Sequence, residues 1–380
     1  MEDNSVSTAA LRVATPDCNE DEFEKEVLST LAHCTYQETA DAFGVSRGKV
    51  YTIALRNGAR KTEERIRERA SDRKIRQKEA LQEMLDATQT ADVLDYLDAL
   101  PDDSAQLFLT SVPYNVGKRY GESQSADSMR HVCYFGWMTM VVSEMARITK
   151  PGGVVFLQCG STRDEIDNSM VPIDIMLFDV MRKAGLTYQN RVSWIIPHGL
   201  TPKRRLSERH ESALIFSKGP PSVFNPDPAR TPQKQPSKRA FKGPNKGKLS
   251  GHPLGAWPSD VWQIGNVGAN HPEKTGHPAQ FPEELAMRAI QIYTNPGDLV
   301  VDPFSGSGTS HVVARRTGRL FTGADLFYED MRAERLANVG IDNICRLPGV
   351  SEESRAVWQA EAKACGLQPE EVRQQQNLLL

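Results

Sequence analysis

The 380-residue chain lacks any apolar run near the ~20 residues that a bilayer span requires, so no transmembrane helix is expected. Residues 1–26 are acidic and hold no apolar core of the kind a secretory signal needs, so none is expected there. Cysteine is scarce and scattered, at Cys18, Cys34, Cys133, Cys159, Cys345 and Cys365. With no CxxC pair and no metal-ligand spacing, these read as reduced thiols, not as a disulfide framework or a zinc site. No internal repeat is visible, which argues against a solenoid. Apolar residues are not lacking: at 39% of the chain they suffice for a sizeable core and exclude wholesale disorder. The expectation is a soluble cytoplasmic protein of two or three domains, or one large α/β domain with additions.

Charge is unevenly placed. A net charge of −3 hides an acidic start, where residues 1–30 hold eight acids against Arg12 and Lys25. Residues 56–80 hold ten Arg or Lys against five acids, and residues 218–250 hold eight against Asp227 alone. Two basic islands in a mildly acidic chain suggest local contact with a polyanion; a solvated helix face and a flexible loop are the plainer alternative.

From Tyr36 to Leu55 the pattern is of two short amphipathic helices joined by a tight turn. Ala40 is small where helices approach, Gly44 suits a left-handed backbone, and Ser46 suits an N-cap. Val45, Val50 and Ile53 supply an apolar face. This spacing resembles a DNA-binding helix-turn-helix, with Arg47, Lys49 and Thr52 on the exposed side of the second helix. An ordinary helical hairpin is the alternative. Residues 59–88 read as a long charged helix.

From about Asp92 strands and helices alternate. Strands are expected over Ala105–Thr110, Gly153–Cys159, Val192–Ile196, Ser212–Ser217, Leu299–Asp302 and Leu320–Ala324, with helices over Trp137–Thr149, Pro282–Tyr293 and onward from Thr309. Such alternation with short loops implies an α/β sheet covered on both faces.

Two stretches carry chemistry. In Val300-Val301-Asp302-Pro303-Phe304-Ser305-Gly306-Ser307-Gly308-Thr309 a buried strand runs through a small-residue turn into a helix. Glycines there admit a ligand close to the backbone, and the helix start offers free N–H groups. The stretch fits neither a phosphate-binding Walker loop nor the dinucleotide fingerprint. Asp325, at the tip of the next strand, suits the two hydroxyls of a ribose, so an adenosine-containing cofactor is expected. The second stretch, Thr110-Ser111-Val112-Pro113-Tyr114-Asn115, also ends a strand. Methylating an exocyclic base amine needs acceptors for its protons and a ring to hold the base flat. Ser111 with the adjacent main-chain carbonyl, and Tyr114, can supply them.

Together these stretches resemble the β-arranged, amino-methylating DNA methyltransferases, whose Ser/Asp-Pro-Pro-Tyr motif precedes the cofactor glycines. The resemblance spans about residues 90–330 in ordered blocks. They are Leu100-Pro101-Asp102-Asp103-Ser104, Trp137, Glu144, Lys150-Pro151-Gly152-Gly153, His210 to Lys218, Asp260-Val261-Trp262, His277 to Pro282, Pro296-Gly297-Asp298 and Asp302 to Thr309. It implies a Rossmann-like, S-adenosylmethionine-dependent methyltransferase sheet with a basic insert, to which the helix-turn-helix-like spacing adds an N-terminal helical module. The chain would divide into an acidic N-terminus (1–30), the helix-turn-helix-like module (31–60), a charged linker helix (61–90), the methyltransferase domain (91–345) with a target-recognition insert (218–257), and a polar tail (346–380).

By the same resemblance, Ser111, Pro113 and Tyr114 line the target-base pocket. Asp302, Phe304, Gly306, Ser307, Gly308, Asp325 and His277 hold S-adenosylmethionine, and Asp92 faces it. Lys238, Arg239, Lys242, Lys246 and Lys248 of the insert are the candidate phosphate contacts, and Arg47 and Lys49 are candidate DNA contacts from the separate helix-turn-helix spacing. No metal is implied. The partners implied are double-stranded DNA, a second copy in a homodimer and a cognate restriction nuclease, in a bacterial, archaeal or phage-encoded setting. Serine at the head of the motif leans toward cytosine N4 as acceptor; aspartate is commoner in adenine N6 enzymes. Carbon-5 chemistry would need a cysteine nucleophile after proline, and no Pro-Cys pair occurs. Val112 replaces the family's first proline. It keeps the acceptor carbonyl but not the fixed φ or the missing N–H, though preceding Pro113 biases it toward an extended backbone. An altered but working loop is expected. A DNA-binding regulator with a degenerate methyltransferase body is the competing reading, favoured by Val112 and opposed by the intact 302–309 loop.

Overall fold

A computed structural model describes residues 20–31, 36–57, 70–121, 123–197, 199, 201–252 and 254–339. The expected acidic start before residue 20, the first part of the charged linker (61–69) and the polar tail lie outside the described residues. The chain splits into two compact units, one of Met1–Arg76 with Met129–Met140, the other of Gln77–Ser128 with Val141–Leu380.

In the first unit three helices, α1 (Glu20–Leu31), α2 (Tyr36–Phe43) and α3 (Arg47–Arg56), bury Val27, Leu31, Ala40, Val50, Ile53 and Ala54 against one another. The turn between α2 and α3 uses Gly44 at φ +61°, a conformation that costs a residue with a Cβ about 1–2 kcal/mol. Ser46 Oγ accepts the Lys49 N–H at 3.2 Å, an N-cap bond. Lys49 is exposed, as expected for the outer face, and that face also carries contacts the sequence did not show. The Lys49 ammonium lies over the Phe23 ring, 5.0 Å from its centroid, and Thr52 donates back to the Gly48 carbonyl. Arg56 pairs with Glu24.

After helix α4 (Ala70–Met84) the second unit builds an eight-stranded sheet. Its elements in chain order are β1 (Ala87–Thr90), α5 (Val93–Ala99), β2 (Ala105–Ser111), the hairpin β3 (Lys118–Tyr120) and β4 (Ser123–Asp127), and α6 (His131–Ile148), which begins in the first unit. There follow β5 (Thr149–Cys159), the hairpin β6 (Ser161–Arg163) and β7 (Met170–Pro172), α7 (Ile173–Lys183), β8 (Thr187–Ile195), β9 (His210–Ser217), β10 (Val261–Gln263), α8 (Glu283–Tyr293), β11 (Leu299–Asp302), α9 (Thr309–Arg316), β12 (Leu320–Asp325) and α10 (Glu329–Ala337). The sheet order is β1-β12-β11-β2-β5-β9-β8-β10. Only β9 runs against its neighbours β5 and β8. Central strands are apolar on both faces, as a sheet covered by helices on each side requires. Leu107, Leu109, Val154, Phe156, Val300 and Phe321 lie in the main core with Leu285, Ala289 and Ile290 of α8.

Two boundaries shift. The linker helix expected to residue 90 stops at Met84, because Ala87–Thr90 pairs in parallel with β12 and adds an edge strand to the sheet. Asp92 caps α5 by accepting the Leu94 N–H at 2.9 Å, so its carboxylate serves that helix start. Among the described residues no helix is long and apolar enough to cross a membrane.

Candidate active site

Strands β11 and β2 are adjacent and parallel, yet the chain leaves them toward opposite sides of the sheet, to β12 and to β5. Their carboxyl ends frame the switch-point crevice where open α/β sheets take ligands. Both stretches singled out in the sequence leave the sheet there, and the Thr110 hydroxyl joins them by donating to Asp302 Oδ1 at 2.7 Å.

Asp302 is fully buried and works beneath its loop. It also accepts from the Phe304 N–H at 3.1 Å and from the Ser310 hydroxyl. Burial raises its carboxyl to about 6 despite these donors. The assignment of Asp302 to the cofactor surface is therefore corrected: with no exposed area, it shapes the loop from inside. Ser307 is likewise buried, its hydroxyl and carbonyl held by Arg335. Gly306 and Gly308 take φ +47° and +76°, and each is crowded. A Cβ on Gly306 would stand 2.8 Å from His277 Nε2, and one on Gly308 would stand 3.2 Å from Arg332 Cγ.

Asp325 is half-exposed at the end of β12. One oxygen accepts the Gly306 N–H at 2.9 Å and the other the Phe327 N–H at 3.0 Å. Two of a carboxylate's roughly four acceptor positions are thus used, which leaves capacity for a diol. Burial raises its carboxyl above the usual range. His277 is buried, its ring edge-on to Tyr328 at 4.8 Å and 5.8 Å from Tyr120. Burial, with nearby Lys118 and Lys274, lowers it to about 4, so it is neutral at pH 7. A half-buried acceptor at a strand tip, a left-handed glycine turn and the half-buried Phe304 form a set of groups that fits an adenosine-bearing cofactor such as S-adenosylmethionine.

On the neighbouring strand Ser111 ends β2, half-exposed, in register with Gln158 of β5. Val112 is buried and its N–H donates to the Gln158 carbonyl at 3.1 Å. Tyr114 is half-buried, and its hydroxyl donates to Glu211 Oε2 at 2.8 Å and accepts from Gln158 Nε2 at 2.6 Å. Asn115 follows at φ +56°, and Asp127 clamps the turn by accepting the Asn115 and Val116 N–H groups.

Of the remaining site residues, Pro113 lies half-buried between Val112 and Tyr114. In the insert Lys238, Arg239, Lys242, Lys246 and Lys248 are exposed on a loop closed by the Arg239–Leu249 bridge. Two bases counted in that island are already neutralised: Lys218 pairs with Asp103 at 2.7 Å, and the buried Arg230 pairs with Asp227 at 2.6 Å. Sequence reasoning passed over Glu211, Gln158 and Asp127. Glu211 stood within a recognised block, just before the strand expected over Ser212–Ser217; only the antiparallel pairing of β9 with β5 brings it to the crevice. Arg332, fully buried under the loop with a bond to the Gly306 carbonyl, had no sequence signal on a polar helix.

Comparison with known proteins is consistent with this geometry. Residues 105–333 match the N6 and N4 DNA methylase family. The type II methyltransferase M.BglII of Bacillus subtilis is 35% identical over 285 residues, covering 72% of this chain and 78% of that protein. The DNA adenine methyltransferase YhdJ of Escherichia coli strain K12 is 28% identical over 237 residues, covering 62% and 76%. Among solved structures, the cytosine-N4-specific PvuII DNA methyltransferase superposes with a TM-score of 0.51 at 21% identity, covering 73% and 92%, which shows a shared fold.

Proposed function

The chain belongs to the N6 and N4 DNA methylase family, and from that premise we propose that it methylates cytosine N4 at a specific DNA sequence, with S-adenosylmethionine as donor. The observation that carries this reading is the junction of the two loops at adjacent strand ends, tied by Thr110 and Asp302. Gly306, Phe304 and Asp325 would hold the cofactor, and His277 would close the cradle behind Gly306. When bound, the cofactor supplies a methyl group already activated on a sulfonium, so catalysis rests on placement and electrostatics.

Ser111 and the backbone carbonyl beside it accept the protons of the target amine, whose lone pair is otherwise delocalised into the ring. Tyr114 offers its open face to the flipped base. No side chain in this arrangement serves as a covalent nucleophile. The helix pair α2–α3 and residues 218–257 add further DNA contacts, the insert reading the target and Arg47 adding affinity. Serine at position 111 supports cytosine as the base; the adenine enzyme among the relatives supports adenine N6 as the second reading.

Nucleoside mass spectrometry of DNA from cells expressing the protein should find N4-methylcytosine. Methyl on adenine alone refutes the choice of base and leaves the reaction class standing. Methyl on cytosine carbon 5 refutes the mechanism.

A further inference from the structure

Tyr114 is held at three points that the methyl-transfer reading does not use. At the hydroxyl, Gln158 Nε2 donates at 2.6 Å and Glu211 Oε2 accepts at 2.8 Å. Gln158 Nε2 also donates to the same Glu211 oxygen, closing a three-membered ring of hydrogen bonds. Because a carboxylate only accepts, the amide must face it with its nitrogen, and the tyrosine hydroxyl must give Glu211 its proton. The donor directions are thus set by Glu211. The third point is Gly160, where a Cβ would stand 2.7 Å from Tyr114 Cε2 and 3.2 Å from Cδ2. The ring therefore lies against bare backbone, where no other side chain fits.

The three supports come from separate elements. Gln158 is in β5, Gly160 follows that strand, and Glu211 is the second residue of β9. The register Gln158↔Ala213 and Cys159↔Ser212 delivers Glu211 to the carboxyl end of β5, the strand that separates it from Ser111 of β2. Gln158 is 2% exposed, so its amide has no water to fall back on if a partner is removed. Glu211 carries a burial cost that raises its carboxyl, a cost met in part by these two donors. Part of this network keeps a buried hydroxyl satisfied; what that need alone does not call for is a second support on the ring itself, which Gly160 provides.

We propose that Glu211 is a positioning residue: with the Gln158 amide it fixes the Tyr114 ring, so that the face receiving the target base is set before the base arrives. This rests on the reading of Tyr114 as the base-stacking residue. A ring fixed in advance spares the rotamer ordering that would otherwise accompany base capture. Its contribution belongs to turnover and not to cofactor affinity.

The test is a double-mutant cycle with the full-length protein, on duplex DNA carrying the sequence it modifies in cells. Glu211→Ala and Tyr114→Phe should each lower kcat by about 10-fold to 100-fold, the factor expected for a hydrogen bond to a charged group. S-adenosylmethionine affinity by calorimetry should not change. The double variant should be no slower than the slower single variant, because both cut the same bond. Glu211→Gln, which keeps an acceptor oxygen in place, should recover most of the loss. Additive losses, or a Glu211→Gln enzyme as slow as Glu211→Ala, would overturn the proposal in favour of a general structural role. Tyr114→Ala separates the two layers. If that variant turns over normally, the base-stacking reading is wrong. If it is dead while Glu211→Ala and Tyr114→Phe match wild type, only the positioning role is wrong.

Discussion

Gly306→Ala perturbs the cofactor loop at its tightest point, and the structure separates the penalty into two parts. The first is conformational: at φ +47° a residue with a Cβ loses about 1–2 kcal/mol relative to glycine. The second is steric, since the new Cβ would meet His277 Nε2 at 2.8 Å and Cε1 at 2.9 Å. His277 cannot simply step aside. It is 6% exposed, its Nδ1 accepts the Ala279 N–H, and Lys274 holds its carbonyl. Displacing it costs about 1–3 kcal/mol, the usual range for overpacking. Urea denaturation of Gly306→Ala should therefore show a loss of about 2–5 kcal/mol in total. Adding His277→Ala removes the obstacle, so the pair should be coupled: the double variant should be more stable than the sum of the single losses predicts, while the conformational part persists. Calorimetry should show weakened S-adenosylmethionine binding in Gly306→Ala. A Gly306→Ala protein within about 0.5 kcal/mol of wild type, the usual spread of neutral surface changes, would refute this account of the loop.

Asp325→Ala removes a carboxylate that holds the Gly306 and Phe327 N–H groups and would face the ribose. S-adenosylmethionine should bind about 10-fold to 100-fold more weakly by calorimetry, with Asp325→Asn between the two. Neutralising Lys238, Arg239 and Lys242 together should reduce methylation and flatten the salt dependence of DNA binding, the slope falling by about 0.9 for each phosphate that no longer meets a cation. Deleting residues 1–60 should weaken DNA affinity yet leave the methylated sequence unchanged; a changed sequence would move specificity to the N-terminal helices. His277 adds a pH signature. Its imidazole is held neutral, its value lowered to about 4 by burial and neighbouring cations, so the unfolded chain takes up its proton first as pH falls below 6.5. The stability advantage of wild type over His277→Ala should be full above pH 6.5 and shrink below it, by up to about 1.4 kcal/mol per pH unit, in parallel denaturation series.

The parts of the fold that the sequence made legible are those governed by local pattern. The run Leu299–Asp302 forms a strand over those same residues, and Thr309 opens its helix, because an apolar β-branched run between turn residues leaves few alternatives. Elements whose existence depends on distant partners were harder. Ala87–Thr90 is a polar tetrapeptide that becomes a strand only because β12 offers an edge. In the site the glycines and Asp325 were readable, since close backbone approach and diol binding each demand particular residue types. Glu211 and Asp127 were not, because a carboxylate's partner is set by tertiary register: Glu211 reaches Tyr114 across 97 residues of sequence. Asp302 was misplaced for a related reason. A motif shows that an acid is needed but not whether it faces the ligand or the loop that carries it.

Val112 was the residue that most opposed an active-enzyme reading, and its surroundings give the valine a structural use of its own. Proline at this position would have no N–H. Here the Val112 N–H is used, donating to the Gln158 carbonyl at 3.1 Å and extending the β2–β5 pairing one residue past Ser111. The side chain is 2% exposed, so valine also fills a core position. The residue whose carbonyl is engaged is the one whose amide holds Tyr114 and Glu211. Valine therefore ties the tyrosine's support to the strand in a way proline could not. Val112→Pro, which restores the family pattern, should consequently lower stability by about 1–3 kcal/mol, the cost of a buried carbonyl left unpaired, and should not raise turnover. Denaturation midpoints and methylation rates of the two proteins, measured side by side, decide the matter. A proline variant that is faster and no less stable would show that Val112 is a defect in the loop and would revive the reading of this chain as a regulator that has kept a methyltransferase body.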